Sequence, residues 1–208
     1  MNMEISGLGK ISSGEYDNLS ISGCGRLDGE IRCNSFSASG LSKGDSINCN
    51  GDFSISGNSK FNTIKADKIK LSGCLKCKSA ECNEAEIYGL MKSDGNLEAK
   101  EIKIYGGLCC GNLICSETAE ILFKGKIKTD SIRCSKLTVR NKNKLKLRKR
   151  LTVKEFIEAD EIDIERVKAQ RISGKTVKIG DYCNIELVQY SESIEISPKS
   201  KVKKTEKI

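Results

Sequence analysis

Residues 83–99 read N-E-A-E-I-Y-G-L-M-K-S-D-G-N-L-E-A, and residues 100–115 follow as K-E-I-K-I-Y-G-G-L-C-C-G-N-L-I-C. The two phrases align on their shared I-Y-G, and the same grammar extends in both directions. A glycine recurs at Gly23, Gly40, Gly57, Gly73, Gly89 and Gly106, a step of 16 or 17 residues each time. A unit this short cannot bury its own apolar face, so it must stack on its neighbours.

Four further columns keep step with the glycines. Two residues before them stand Ile21, Ala38, Ile55, Leu71, Ile87 and Ile104, and four before them Leu19, Phe36, Phe53, Ile69, Ala85 and Ile102. A small-residue column runs Cys33, Cys49, Ala66, Cys82, Ala99, Cys115 and Cys134, preceded at two residues by Ile31, Ile47, Ile64, Ala80, Leu97, Leu113 and Ile132. Apolar and polar positions alternate within each repeat, which is the period of a strand with one buried side. The spacing predicts an all-β, single-stranded parallel β-helix of about ten rungs, roughly 50 Å long at one strand spacing per rung. Right-handed crossover is the rule between parallel strands, so the coil is expected to be right-handed. A β-propeller fails on arithmetic, because a blade needs about 40 residues.

The ladder has parts. Residues 1–18 read as a lead-in or imperfect first rung, 19–139 as regular rungs, 140–156 as a basic insertion, 157–196 as further rungs, and 197–208 as a frayed basic tail. The corner glycines suggest a positive φ where the chain leaves each strand. Phe123 breaks that column and Asn141 continues it, asparagine being the next most tolerant residue there.

The 208 residues contain no His, no Trp and one proline, with aromatics at 5%. Aliphatic and small side chains must therefore fill a narrow core. The lack of His removes the commonest general base, the Ser-His and Cys-His nucleophile systems and a common zinc ligand. An enzyme, a cofactor and a metal are not expected. Cys74-x-x-Cys77 with Cys82, and Cys109-Cys110 with Cys115, could be read as soft-metal ligands. The cysteine column, however, interchanges with Ala66 and Ala99. A filler tolerates that exchange and a ligand does not. Without a leader or an apolar run long enough to span a bilayer, the chain is expected in the cytoplasm with reduced thiols.

Net charge is +8. Residues 1–134 hold 17 bases and 17 acids, so the excess falls in the last third. Its centre is Arg140, Lys142, Lys144, Lys146, Arg148, Lys149 and Arg150, a run without one acid. It could meet anionic lipid at the inner face of a membrane, or an acidic protein. Nucleic acid is disfavoured, because no aromatic is interleaved to stack on bases. The column Lys70, Glu86, Lys103, Glu120 alternates in sign and reads as a cross-strand charge ladder.

Serial S-G or Y-G corners followed by G-x-(I/L)-x-(C/A) occur at Ser22-Gly23 with Gly29-Glu30-Ile31-Arg32-Cys33, and at Tyr88-Gly89 with Gly95-Asn96-Leu97-Glu98-Ala99. These phrases resemble the bactofilin family, and V-K-I-G-D-Y-C-N-I-E-L-V-Q-Y at residues 177–190 is similar to its longer Firmicute branch. The resemblance implies a right-handed β-helix that polymerises without nucleotide into cytoskeletal filaments, often at the membrane. The apolar N-terminal membrane-targeting peptide of some members is not evident here. A stack of rungs has two unpaired edges that recruit another strand unless capped. The expected self-docking residues are Ile5, Leu8, Leu19 and Ile21 at one end, and Ile194, Ile196 and Val202 at the other. The alternative is a monomeric adaptor that holds an acidic partner or an anionic surface through the basic loop.

Overall fold

The computed structural model describes residues 1–141 and 150–208. Every described strand is parallel to its neighbours, and together they form one right-handed β-solenoid of about twelve turns. Each turn crosses three faces. The first carries Met3, Leu19, Phe36, Phe53 and Ile69 in register. The second carries Ile11, Leu27 and Gly44, and the third Ile31, Ile47, Ile64 and Ala80. Inward side chains from the three faces make one continuous apolar core from Ile5 to Val188. At about 4.8 Å per rung, twelve turns give a rod roughly 55 Å long.

The two additional turns come from the ends. Met3–Ile5 pairs with residues 19–21, so the lead-in is a full turn. Residues expected as a frayed tail form the strand Lys201–Lys207, paired in register with residues 184–190. The basic insertion is shorter than expected, because Leu151–Ile164 is already strand and sets Leu151, Thr152 and Val153 beside Ile127, Lys128 and Thr129.

The corner glycines are required for a different reason from the expected one. Positive φ occurs at Gly14, Gly29, Arg166 and Tyr182, and not at the repeating corner. There the stack leaves no room: a Cβ on Gly57 would lie 1.9 Å from the carbonyl oxygen of Gly40. Asn141 likewise has no positive φ. Its backbone N–H donates to the Glu165 carboxylate at 2.6 Å, and Phe123, its partner in register, is fully buried.

The second face is the one that apolar periodicity does not reveal. Beside Ile11 and Leu27, its inward positions near the start include Gly9, Gly25, Ser42, Gly44 and Ser59, which make room for large neighbours. Phe36 and Phe53 stack with centroids 5.0 Å apart, and Phe61 meets both edge-on at 5.6 Å. Such pairs add about 1 kcal/mol each beyond the area they bury. Buried Ser42 and Ser59 satisfy each other across adjacent rungs, hydroxyl to hydroxyl at 2.6 Å.

Outside, polar ladders hold the rungs in register. The Asn50 amide donates to Asn34 at 3.3 Å, and Asn112 donates to Asn96 at 2.9 Å. Lys70, Glu86, Lys103 and Glu120 do stand in register. Yet Lys70 turns back to Asp52 at 2.6 Å, while Glu86 is met by Lys68 at 3.3 Å. Among the described residues no helix is long and apolar enough to cross a membrane.

Candidate functional site

Strand parity decides what each cysteine can do. Cys74 and Cys77 are three apart in one strand, so they point to opposite sides: Cys74 is exposed and Cys77 buried. Cys109 and Cys110 are split in the same way. Cys33, Cys49, Cys82 and Cys115 are buried, and Cys134 packs against the core. Desolvation raises the thiols of Cys77 and Cys110 to about 11, and those of Cys82 and Cys134 to about 12. Thiols held protonated in this way are poor nucleophiles and poor metal ligands. Among the described residues no group of three His, Cys, Asp or Glu side chains could hold a metal ion.

The ends are only partly as the sequence suggests. Ile5 is 8% exposed in the first turn. Leu19 and Ile21 are not at the end at all. They lie in the second turn under Met3 and Ile5, each 1% exposed. Leu8 points outward from the second face and is 90% exposed. At the other end Ile196 is 40% exposed, and Ile194 and Val202 are half-buried against the core. The final strand then sets Thr205 over Val188 and Lys207 over Tyr190. One end is therefore apolar in its inward positions, while the other mixes Ile194, Ile196 and Val202 with a hydroxyl and a cation.

Of the basic run, Lys142, Lys144, Lys146, Arg148 and Lys149 lie outside the described residues. Arg140 is already engaged: its guanidinium pairs with the Asp163 carboxylate and donates to the carbonyls of Val139 and Asp163, each at 3.1 Å. Arg150 is exposed and directly precedes Leu151 on the second face.

That face carries bases without acids. One outward column reads Lys10, Arg26, Lys43, Lys60, Lys76 and Lys92 on six consecutive rungs. It continues through Cys109 to Lys128, then through Thr152 to Lys168 and through Asn184 to Lys201. Two residues earlier on each rung a second column starts with Leu8, Cys24 and Leu41 and ends with Lys126, Arg150, Arg166, Tyr182 and Lys199, of which Arg166 is buried. Neither column contains an aspartate or a glutamate. The sequence signal for this face was the lysine recurring 16 or 17 residues apart. It was hidden because residues 1–134 are neutral in sum. Eight of their 17 bases stand here (Lys10, Arg26, Lys43, Lys60, Lys76, Lys92, Lys126 and Lys128), while all 17 acids lie on the other faces and the corners.

Corner carboxylates reach only the margins of the face. Asp28 takes Lys10 at 2.6 Å and Arg26 at 2.8 Å, and these two hold its carboxyl below the usual carboxylate range. Asp181 takes Lys199 at 2.9 Å. The Tyr182 ring lies between rungs, with the Arg166 guanidinium 4.7 Å from its centroid and Lys199 at 5.9 Å. Lys43, Lys60, Lys76 and Lys92 make no ion pair among the described residues. Leu8 and Leu41, 90% and 53% exposed, border a shallow groove of about 460 Å³ along the same columns.

The chain matches no family model, no curated protein and no solved structure.

Proposed function

We propose that this protein is a non-enzymatic, bactofilin-like scaffold that assembles through the terminal turns of its solenoid. One observation carries the reading. Met3–Ile5 pairs with the rest of the chain on one side only, and Lys201–Lys207 does the same, so each end is an open parallel edge. Open edges recruit a further strand, and docking there continues the ladder with no nucleotide required. The β-solenoid fold is compatible with a structural scaffold. The repeated S-G and Y-G corners support the bactofilin resemblance, and the absence of His, with buried protonated thiols, supports the non-enzymatic reading.

The two ends are not equivalent in this proposal. The first turn offers Met3 and Ile5, whereas the last sets Thr205 and Lys207 beside Ile194, Ile196 and Val202, so the first-turn end, the less polar of the two, contributes more. Ile21 is not the residue to change, since a charge there would unfold the second turn. Met3→Glu should shorten or abolish filaments in negative-stain microscopy and light scattering, and Ile196→Glu should do so less. If wild type shows no concentration-dependent assembly, or both variants assemble as wild type does, terminal docking is wrong. A second reading, a monomeric rod that holds a partner on its side, is favoured by Lys43, Lys60, Lys76 and Lys92 on the second face, which make no ion pair among the described residues.

A further inference from the structure

We propose that the second face of the solenoid is a docking surface for the anionic headgroup plane of a lipid bilayer. The face lies on the side of the rod, so both ends stay free, and the inference does not rest on filament assembly.

Charge is the first argument. Like charges directly opposite one another on adjacent strands destabilise a sheet, and here six consecutive rungs repeat a base in one column. The first and third faces intersperse acids and bases and form cross-rung pairs such as Lys136 with Glu161 at 2.7 Å and Arg133 with Glu158 at 3.0 Å. On those faces like charges meet only as isolated pairs, Glu84 with Glu101 and Glu81 with Glu98, so six bases in succession set the second face apart, and such departures mark functional surfaces. An external layer of anions relieves the repulsion.

Shape and chemistry then choose the anion. A ladder of parallel strands presents its cations in a line along the rod, about 4.8 Å apart, so a planar surface can meet all of them at once. A nucleic-acid duplex curves away from such a face and offers a narrow line of phosphates. Single strands need aromatic platforms between the cations. The face has one aromatic, Tyr182, whose ring is already met by Arg166 and Lys199. Leu8 and Leu41 decide in favour of lipid. They stand exposed beside Lys10 and Lys43, and this pairing of apolar and basic side chains is what an interfacial surface buries at the headgroup and acyl boundary.

The test uses the full chain and vesicle flotation, which separates lipid-bound protein, which rises, from assembled protein, which sinks. Wild type should float with vesicles containing phosphatidylglycerol and not with pure phosphatidylcholine, and the bound fraction should fall as salt rises. Lys43→Gln, Lys60→Gln and Lys76→Gln together remove three exposed cations that lack ion-pair partners. At about fivefold per cation, the loss of binding should be roughly a hundredfold. A charge-matched variant of the connecting run (Lys144→Gln, Lys146→Gln and Lys149→Gln) should bind nearly as wild type does. Leu8→Ser with Leu41→Ser should weaken flotation and leave its salt dependence unchanged. An unaltered melting temperature in the face triple excludes unfolding as the cause. The proposal is overturned if wild type fails to float with anionic vesicles at low salt. It is equally overturned if the connecting-run triple loses as much binding as the face triple, or if a DNA duplex binds more tightly than the vesicles at the same salt.

Discussion

The carbonyl oxygen of Gly23 lies 1.9 Å from where a Cβ on Gly40 would sit, and the same oxygen accepts the Leu41 N–H at 2.9 Å. One corner therefore serves as both the acceptor and the wall for the next. Ser39 and Gly40 in turn both donate to the Ile21 carbonyl, at 2.9 and 3.5 Å. Gly40→Ala cannot be absorbed by a side-chain rotation, since the obstacle is backbone. It should cost at least about 3 kcal/mol in urea or thermal unfolding. Gly7→Ala, with nothing within 4 Å of its added Cβ, is the control and should stay within about 0.5 kcal/mol. Equal effects would mean that the corners are not in contact.

Phe61 and Gly44 share one space. A Cβ on Gly44 would lie 2.8 Å from a ring carbon of Phe61 and 3.1 Å from the Leu27 Cβ. Gly44→Ala should therefore cost about 2 kcal/mol by overpacking, and Phe61→Leu about the same through the cavity it leaves. The double variant should be less destabilised than the sum by about 1 kcal/mol, since the smaller side chain admits the methyl group. Strict additivity in a double-mutant cycle would contradict the packing described here.

The same pair shows why one face of the three escaped a reading of the sequence. Leu19, Phe36, Phe53 and Ile69 form a column that stays apolar, so its period shows. On the second face Gly25 and Gly44 occupy inward positions because the side chains of Ile21 and Phe61 have taken the volume beside them. A search for recurring hydrophobic residues passes over them. The glycine period was legible, but its cause was not, because the obstacle to a side chain is an atom 17 residues away rather than a local dihedral. The first turn is hidden for a related reason: Met3, Gly9 and Gly14 look too weak to be a rung, yet they stand in register with Leu19, Gly25 and Ile31. The basic face was invisible to a running charge count, which sums along the chain and not along the stacking axis.

Buried thiols make stability sensitive to alkali. Burial lifts Cys82 to about 12 and Cys110 to about 11, above the model-peptide range, so the folded state keeps protons that the unfolded chain releases near pH 9. Stability from these groups is complete below that pH and is lost as pH rises toward 11 and 12. The slope is about 1.4 kcal/mol per pH unit for each such thiol. Cys82→Ala copies what Ala66 and Ala99 already do in that column. It should cost about 1 kcal/mol at neutral pH and remove one thiol's share of the alkaline slope. Iodoacetamide at neutral pH should label exposed Cys74 first and half-buried Cys24 and Cys109 next, and should spare Cys82 until the protein unfolds. Early labelling of Cys82 would show that its column is open to water.

Lys60 stands in register between Lys43 and Lys76, with no carboxylate in its column. Three ammonium groups on successive rungs repel one another, and the repulsion is screened when salt is added. Wild-type stability should therefore rise with ionic strength at low salt, whereas a fold held chiefly by exposed ion pairs would weaken. Lys60→Glu would place an anion within reach of both neighbours, and the melting temperature should increase by roughly a degree or two in low salt. That gain should shrink as salt is added, because screening removes both the repulsion and the new attraction. If Lys60→Glu lowers the melting temperature at low salt, the column is not a repulsive ladder. The cations would then be contributing to the fold itself rather than waiting for an external anion.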